Sequence, residues 1–146
     1  MKKYRATHTE LTSAAPRDIW KMWLDVGNWP TWDEGVESVT ALTKFAPGGT
    51  FKLRPKGAPA EVDVRLVDVR PNERFVDETR LPFGTIRASH FIEKDGDKTR
   101  LTHVIEAEIA PEQSQFFEQA IWSGMETGIR QSVQNLAKLA AKKSKP

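Results

Sequence analysis

Alternation of apolar and polar residues dominates the middle of the chain. Between residues 35 and 109, six short segments carry apolar side chains at every second position, and turns containing Gly, Pro or Asn separate most of them. A period of two is typical of antiparallel strands with one buried face. Residues 3–12 have the same character, so the pattern predicts seven strands in total.

Helical periodicity precedes and follows these central strands. In residues 15–25, APRDIWKMWLD, the apolar side chains form one stripe behind a proline in the first turn. A second, very short helix is predicted to end near Asp33. From Pro111 to about Lys142 apolar residues recur at helical spacing with no further proline, which predicts a helix of roughly 45 Å.

The segment EVDVRLVDV, residues 61–69, changes phase in its middle. Val64 and Leu66 alternate with polar residues, and the alternation then slips by one residue to Val67 and Val69. Such a slip predicts a β-bulge near Leu66 and a strongly bent strand. A bent antiparallel sheet and one long helix predict an α+β fold in which the sheet wraps around the helix. Because one helix cannot fill the concave side of a seven-stranded sheet, we expect an internal cavity.

Composition limits the possible classes of protein. The chain has 146 residues, of which 38% are hydrophobic and 29% charged, as in a single globular domain. The 22 basic and 20 acidic residues nearly balance, which argues against a nucleic-acid partner. Cysteine is absent, so a disulfide scaffold, a thiolate metal site and a cysteine nucleophile are excluded.

The ends of the chain carry no targeting signal that the sequence alone reveals. The first residues are basic but no apolar run follows them, and no window approaches eighteen apolar residues. We therefore expect one cytoplasmic domain over residues 1–146, monomeric or homodimeric, without membrane insertion. Residues 143–146 are predicted to form a disordered tail.

The order of elements and two sequence segments carry a resemblance to a known superfamily. In APRDIWKMWLDVGNWPTWDEGV, an Ile-Trp pair at 19–20 precedes Asp25 and a Trp-Pro-x-Trp motif at 29–32. The second segment is RFVDETRLPFGTIRASHFIEKDGDKTRLTH, residues 74–103. Together they resemble the START/SRPBCC superfamily, the helix-grip fold of the birch-pollen allergen, and in particular its polyketide cyclase/dehydrase-like branch. The resemblance implies a curved seven-stranded antiparallel sheet around the C-terminal helix, with two short helices between strands 1 and 2.

Four of the five tryptophans lie between residues 20 and 32. Trp20 and Trp23 are expected to divide between surface and core, with Trp23 on the buried side. Trp32, together with Trp122 of the long helix, is expected to line the cavity.

Two histidines share one face of the last predicted hairpin. A two-residue turn at 95–96, an Asp-Gly pair, places His90 opposite Leu101. His90 and His103 are then inward-pointing diagonal neighbours on a mostly apolar face. An inward histidine can serve in proton transfer, or it can simply satisfy a backbone carbonyl or a buried water.

A carboxylate is predicted to join the histidines. If residues 81–84 form the preceding loop, Asp77 lies opposite Ala88 and projects into the same cavity. One aspartate and two histidines have the composition of a general acid/base site. Alternatively, Asp77 lies at a rim and pairs with Arg80 or Arg87. A metal site would need all three side chains to converge on one ion, so we expect no metal and no cofactor.

The first functional hypothesis is a binding module that encloses a small hydrophobic molecule, such as a lipid, a polyketide-like aromatic or an isoprenoid. Enclosed sites combine an apolar wall with a few polar groups. Gly124 and Gly128 of the long helix either leave room for the ligand or permit close packing. The residues expected to bind the ligand are Trp32, Phe51, Leu53, Val64, Phe75, Phe83, Ile121, Trp122 and Met125.

Two other functions stay open. The resemblance implies cyclase or dehydrase chemistry, in which His90, His103 or Asp77 moves a proton while the cavity orients a flexible substrate. The co-chaperone branch of the superfamily implies a protein-interaction module that uses the outer face of the sheet. The polar residues expected on that face, Asp63 and Arg65 among them, argue against a large apolar docking patch.

Overall fold

The computed structural model describes residues 1–144 and contains one antiparallel sheet, two short helices and a long C-terminal helical region. The predicted α+β helix-grip architecture is confirmed. The strands are β1 (Lys2–Thr12), β2 (Val36–Ala41), β3 (Thr50–Pro55), β4 (Val62–Arg70), β5 (Arg74–Leu81), β6 (Gly84–Asp95) and β7 (Lys98–Ile109).

The helices lie where the periodicity predicted them. α1 (Pro16–Leu24) begins with a proline that gives up no intrahelical hydrogen bond, and a 3₁₀ helix (Val26–Thr31) follows it. The C-terminal region starts with a 3₁₀ turn (Pro111–Gln113) and continues through α2 (Ser114–Phe117). A π-helical segment (Glu118–Trp122) then leads into α3 (Ser123–Lys143).

The sheet has the strand order β1-β7-β6-β5-β4-β3-β2, so the first strand lies beside the last. Successive strands from β2 to β7 form hairpins, while β1 and β2 occupy the two edges. α3 crosses the concave side and contacts β1, β7 and α1. This arrangement leaves one face of every strand directed at the helices and the other directed outwards.

The predicted bulge and one of the two predicted hairpin registers are confirmed. The β4–β5 ladder shifts between Leu66 and Asp68, which is the predicted β-bulge. Asp77 pairs with Ala88 in the β5–β6 ladder, also as predicted. A further bulge bends β2 against β3.

The predicted register of the β6–β7 hairpin is wrong by two residues. Asp95 pairs with Lys98, so the turn residues are Gly96 and Asp97, and His90 lies directly opposite His103. Gly96 has a φ of 66°, a backbone conformation that glycine adopts without steric cost. Because the error is an even number of residues, both histidines still point inwards as expected.

The main hydrophobic core lies between the sheet, α1, the 3₁₀ helix and the C-terminal half of α3. Trp23 is fully buried there, and Trp20, expected to be the more exposed of the two, is only 6% exposed. Hydrogen bonds fix the helices: the Trp29 Nε1–H donates to the Trp23 carbonyl at 3.0 Å, and the Thr12 hydroxyl donates to the Ala137 carbonyl at 3.0 Å. The tryptophans therefore fill the interior on this side of the sheet.

A second, smaller cluster lies near the start of the C-terminal region. Phe117 and Trp122 pack there against Ile109 and the ring of Tyr4. The Glu118 carboxylate accepts hydrogen bonds from Lys2 Nζ at 2.5 Å and from the Tyr4 hydroxyl at 2.7 Å. The C-terminal helical region is thus attached to the sheet at two separate places.

The predicted disordered tail at 143–146 is ordered in the part that the structure describes. Lys143 ends α3, and the Ser144 hydroxyl donates a hydrogen bond to Asp18 at 2.8 Å. Residues 145–146 lie outside the described residues. No helix in residues 1–144 is long and apolar enough to cross a membrane.

Candidate functional site

All three histidines of the chain lie in one row across the concave face. His103 on β7 pairs with His8 on β1 and with His90 on β6, and the row continues to Phe75 on β5. His8 was not among the residues selected from the sequence. The sequence did contain a signal for it, because His8 and the half-buried Tyr4 are an even number of residues apart on β1 and therefore share one face. The ladder partner of His8 is His103, which lies 95 residues further along the chain.

His90 is held by the core. Its Nδ1–H donates to the Phe75 carbonyl at 3.2 Å, and its ring stacks on the Phe75 ring with centroids 3.8 Å apart. The hydrogen bond to a backbone carbonyl is the structural alternative that the sequence left open. Burial lowers the pKa of His90 to about 3, so its imidazole is neutral at physiological pH.

His103 is equally buried but less well satisfied. Its ring lies 4.6 Å from the His90 ring and 5.9 Å from the Trp23 ring. Burial, and after it the nearby charges of His90 and His8, lower the pKa of His103 well below 6.5. The His103 Nε2 and Trp23 Nε1 atoms are both buried and have no hydrogen-bond partner within residues 1–144. One water or ligand hydroxyl could satisfy a donor and an acceptor of this kind.

Asp77 lies in the next inward-facing row, between Leu66 of β4 and Ala88 of β6. It is 9% exposed, and its carboxylate forms no ion pair or hydrogen bond with any side chain of residues 1–144. The expected alternative of a rim salt bridge is wrong, because Arg80 and Arg87 both pair with Glu78, at 3.3 and 2.8 Å. Burial raises the pKa of Asp77 to about 7, since no cation offsets the cost of charging it.

The row that contains Asp77 is apolar and incompletely covered. It runs from Ala6 through Ile105 and Ala88 to Asp77. Met125 of α3 is also partly buried, and it packs against the second cluster together with Ala6 and Ile105. We call these five residues the concave cleft. All except Asp77 are only partly buried, so this stretch of the sheet retains accessible surface.

Two glycines border the concave cleft on the helix. A Cβ atom added at Gly124 or Gly128 would meet no other atom within 4 Å. Close packing of these glycines, one of the two interpretations left open by the sequence, is therefore wrong. Gly128 is partly buried and lies one helical turn from Met125, whereas Gly124 is exposed, so we expect Gly128 to be the nearer of the two to the cleft.

The nine residues expected to bind the ligand divide into two groups. Four side chains remain half-buried and accessible, and the other five are buried within the two clusters. The accessible group is Leu53, Phe83, Ile121 and Met125; the buried group is Trp32, Phe51, Val64, Phe75 and Trp122.

Neither of the two best-formed cavities within residues 1–144 is a large enclosed chamber beneath the sheet. One cavity, of about 100 Å³, lies under the β2–β3 loop, and of the nine expected residues only Phe51 lines it. A second, of about 290 Å³, lies between α1 and the end of α3, beside Asp18 and Lys143. The sequence indicated the curvature of the sheet correctly but not how much volume the tryptophan rings occupy.

No metal-binding group is evident in the described part of the chain. Among residues 1–144, no three His, Asp or Glu side chains are placed to hold one ion. Although the histidines form a row, His8 Nε2 is bonded to the Glu10 carboxylate at 2.6 Å and His90 to a carbonyl. The concave site can therefore supply hydrogen bonds and a carboxyl proton.

The seven-stranded curved sheet around a long C-terminal helix defines the class as a helix-grip protein. Over residues 3–141 the sequence matches the family described as polyketide cyclase / dehydrase and lipid transport. The chain belongs to this family, as the resemblance implied. No curated protein matches the sequence significantly.

Solved structures with little sequence identity have the same fold. Norcoclaurine synthase of Thalictrum flavum, a point mutant with a transition-state analogue, has a TM-score of 0.74 at 14% identity and covers 99% of this chain and 98% of its own. TTHA0849 of Thermus thermophilus has 0.76 at 12% identity, covering 97% and 100%. Ara h 8.0201 has 0.66 at 9% identity, covering 97% and 99%. At these identities the likeness concerns the fold alone.

Proposed function

We propose that the protein binds a small hydrophobic molecule in the concave cleft, with the Asp77 carboxyl group as its polar anchor. The observation that carries this proposal is the isolation of Asp77: it is buried, and no described side chain donates a hydrogen bond to it. The Asp77 oxygens are not among the fully enclosed atoms of residues 1–144 that lack a partner, so they keep some contact with solvent, and a ligand that donates a hydrogen bond would replace that water.

The surroundings of Asp77 indicate what kind of molecule fits. Ala6, Ala88 and Ile105 offer a flat apolar wall, and the flexible side chain of Met125 can adapt to different shapes. A ligand with an apolar body and one hydroxyl or amine group would match this wall and its single carboxyl. Lipids, polyketide-like aromatics and isoprenoids, the classes expected from the sequence, all include such molecules.

A second candidate function is an enzyme of the cyclase/dehydrase kind, with Asp77 as general acid and base. The pKa of about 7 favours it, because an acid/base group works best when its pKa lies near the working pH. His90 and His103 have lowered pKa values and are weak bases at neutral pH. In this reaction they would orient the substrate by hydrogen bonding, and Asp77 would move the proton.

The test is native mass spectrometry of the purified protein, followed by extraction and identification of any bound molecule. We expect a hydrophobic adduct that is retained in Glu78→Gln and lost in Asp77→Asn. Glu78 is the matched control, because it neighbours Asp77 on β5 and faces the opposite side of the sheet. If Asp77→Asn retains the adduct, Asp77 is not the anchor.

The enzymatic alternative has its own readout. With the identified molecule or its precursor as substrate, the rate would change with pH through an inflection near 7, and Asp77→Asn would remove that inflection. A flat profile, or an inflection that survives in Asp77→Asn, would contradict a proton-transfer role. A protein-interaction function through the outer face would be insensitive to Asp77→Asn, which changes only the inner face of β5.

A further inference from the structure

We propose a second binding site, one that takes a single aromatic ring, beneath the loop that joins β2 and β3. The cavity there has a volume of about 100 Å³. Its buried floor consists of Val26, Phe51 and Leu66, and its rim includes Ala41 and Lys44. This site is separate from the concave cleft and does not depend on the function proposed above.

The size of the cavity suits one ring. An apolar cavity of about 150 Å³ is enough to hold benzene in a protein interior. At about 100 Å³ the cavity beneath the loop is smaller than that, so a six-membered ring fits only with part of it in the side that is open to solvent, and a lipid chain or a fused polycycle is excluded. Its floor is apolar and Thr43, Lys44 and Thr50 line the remaining side, so the cavity suits an uncharged ring that carries one polar group.

Aromatic residues form two sides of the site. The Phe45 ring at the tip of the loop meets Trp20 edge-on at 5.9 Å and Phe75 at 5.0 Å. Phe51 in the floor is itself edge-on to Trp29 at 5.3 Å. The loop thus places the Phe45 ring in an aromatic pocket. The ring of a ligand bound in the adjoining cavity would lie between Phe45 and Phe51. Edge-to-face contacts of this kind favour an aromatic over a saturated ring.

The loop that covers the site is fixed at its base. Gly48 N–H donates to the Leu66 carbonyl and Leu66 N–H donates to the Gly49 carbonyl, both at 2.8 Å. The Thr50 N–H donates to the Thr43 hydroxyl at 2.9 Å, which joins the two legs of the loop. A side chain at Gly49 would collide with the backbone, since a Cβ atom there would lie 2.3 Å from a carbonyl oxygen. The walls are therefore formed before any ligand arrives, which lowers the entropic cost of binding.

Leu66 separates the two sites. Its side chain is buried in the floor of the cavity, and Leu66 is also the direct ladder partner of Asp77. A ring beneath the loop would therefore contact one side of Leu66, while a ligand in the concave cleft would contact Asp77 and Met125. Methyl groups of Val26 and Leu66 report on the first site, and those of Ile105 and Met125 report on the second.

The test uses phenol and cyclohexanol as matched probes, titrated into methyl-labelled protein and followed by NMR. We expect saturable shifts of the Val26 and Leu66 methyl signals with phenol, and binding of phenol about threefold or more tighter than that of cyclohexanol. Ala41→Leu extends a side chain into the cavity from the rim and is expected to abolish the shifts. Thr40→Leu, one residue earlier and on the outer face of β2, is the matched control and is expected to leave them unchanged.

Three outcomes would overturn the proposal. Phenol-induced shifts confined to Ile105 and Met125 would place the ring in the concave cleft instead. Equal affinity for cyclohexanol would remove the preference for an aromatic ring. Unchanged phenol binding by Ala41→Leu, with its other methyl signals as in the unmodified protein, would show that the cavity beneath the loop is not the site. Loss of the cleft ligand in Asp77→Asn has no bearing on these results.

Discussion

The long helix meets the same sheet in two different ways along its length. In its C-terminal half, Val133, Leu136 and Ala140 are fully buried against the tryptophan-rich core. Near its start, Met125 is only half-buried, and a Cβ atom added at Gly128 would touch nothing within 4 Å. Large rings fill the first region, whereas small side chains leave the second one incompletely packed.

The polar residues of the packed region and those of the open region also differ in their surroundings. In the packed region, burial keeps His90 and His103 neutral and a backbone carbonyl holds one of them. At the border of the open region, Asp77 has an elevated pKa and pairs with no side chain of residues 1–144. Polar groups without a partner therefore occur in both regions: His103 Nε2 and Trp23 Nε1 are enclosed in the packed one, whereas Asp77 lies beside the accessible side chains of the concave cleft, where a ligand has most to contribute.

The largest effect is expected from removing a ring in the packed region. Trp23→Ala should lower the free energy of unfolding by about 3–5 kcal/mol, because the fully buried indole leaves a cavity that the core cannot close. Met125→Ala in the open region should cost less, about 1 kcal/mol, since that side chain is only partly buried in the folded protein. Urea unfolding at pH 7 measures both, and equal losses would contradict the contrast between the two regions.

Asp77 should make the protein less stable as pH rises. Its pKa is 3.8 in the unfolded chain and about 7 in the folded one, so between these values the folded state binds the additional proton. Stability therefore falls from about pH 4 to pH 7 and stays lower above pH 7. Asp77→Asn should match the unmodified protein near pH 4 and exceed it at pH 8, by at most about 4 kcal/mol for three pKa units.

Glu78 provides the control with the opposite sign. The hydrogen bond from Arg87 lowers the pKa of Glu78, so its ionised form stabilises the fold and that contribution is lost as pH falls. Glu78→Gln should therefore be less stable than the unmodified protein at pH 8 and similar to it in acid. Urea midpoints at pH 4 and pH 8 distinguish the two variants. A destabilised Asp77→Asn at pH 8 would mean that Asp77 has a favourable partner.

The smallest effect is expected at the two helical glycines. Gly128→Leu and Gly124→Leu should each stabilise α3 by up to about 1 kcal/mol, because leucine has the higher helix propensity and neither side chain meets a clash. Only Gly128→Leu should weaken binding of the cleft ligand, since position 124 is exposed. Equal binding by both variants would show that the flank of α3 does not limit access to the concave cleft.

Local patterns in the sequence predicted most of the fold. Period-two alternation identified the strands, a slip in that alternation located the bulge at Leu66, and helical spacing identified the C-terminal region. The inward position of Asp77 also followed from the pattern and from one correct turn. These features depend on neighbours in the sequence, and for that reason a single chain is enough to predict them.

The features that the sequence did not predict depend on distant residues or on volume. In Asp95-Gly96-Asp97 the glycine can occupy either central position of a two-residue turn, and the ladder decides which. His8 enters the histidine row only because β1 pairs with β7. Whether the aromatic rings fill the space inside the curved sheet depends on the volumes of all the interior side chains together. The volume of the cavity could therefore not be predicted from the order of residues.

The neighbouring positions of β1 and β7 have a consequence for how the protein folds. Lys2 pairs with Ile109, so β1 leaves the ribosome before β2 to β7 and has no partner in the sheet until β7 has been made. The hairpins from β2 to β7 can form one after another as they emerge, but β1 must wait for the last of them. Contacts so far apart along the chain are slow to form. We therefore expect closure of the sheet by β1 to be a late step, followed by docking of the helix that still has to emerge behind β7.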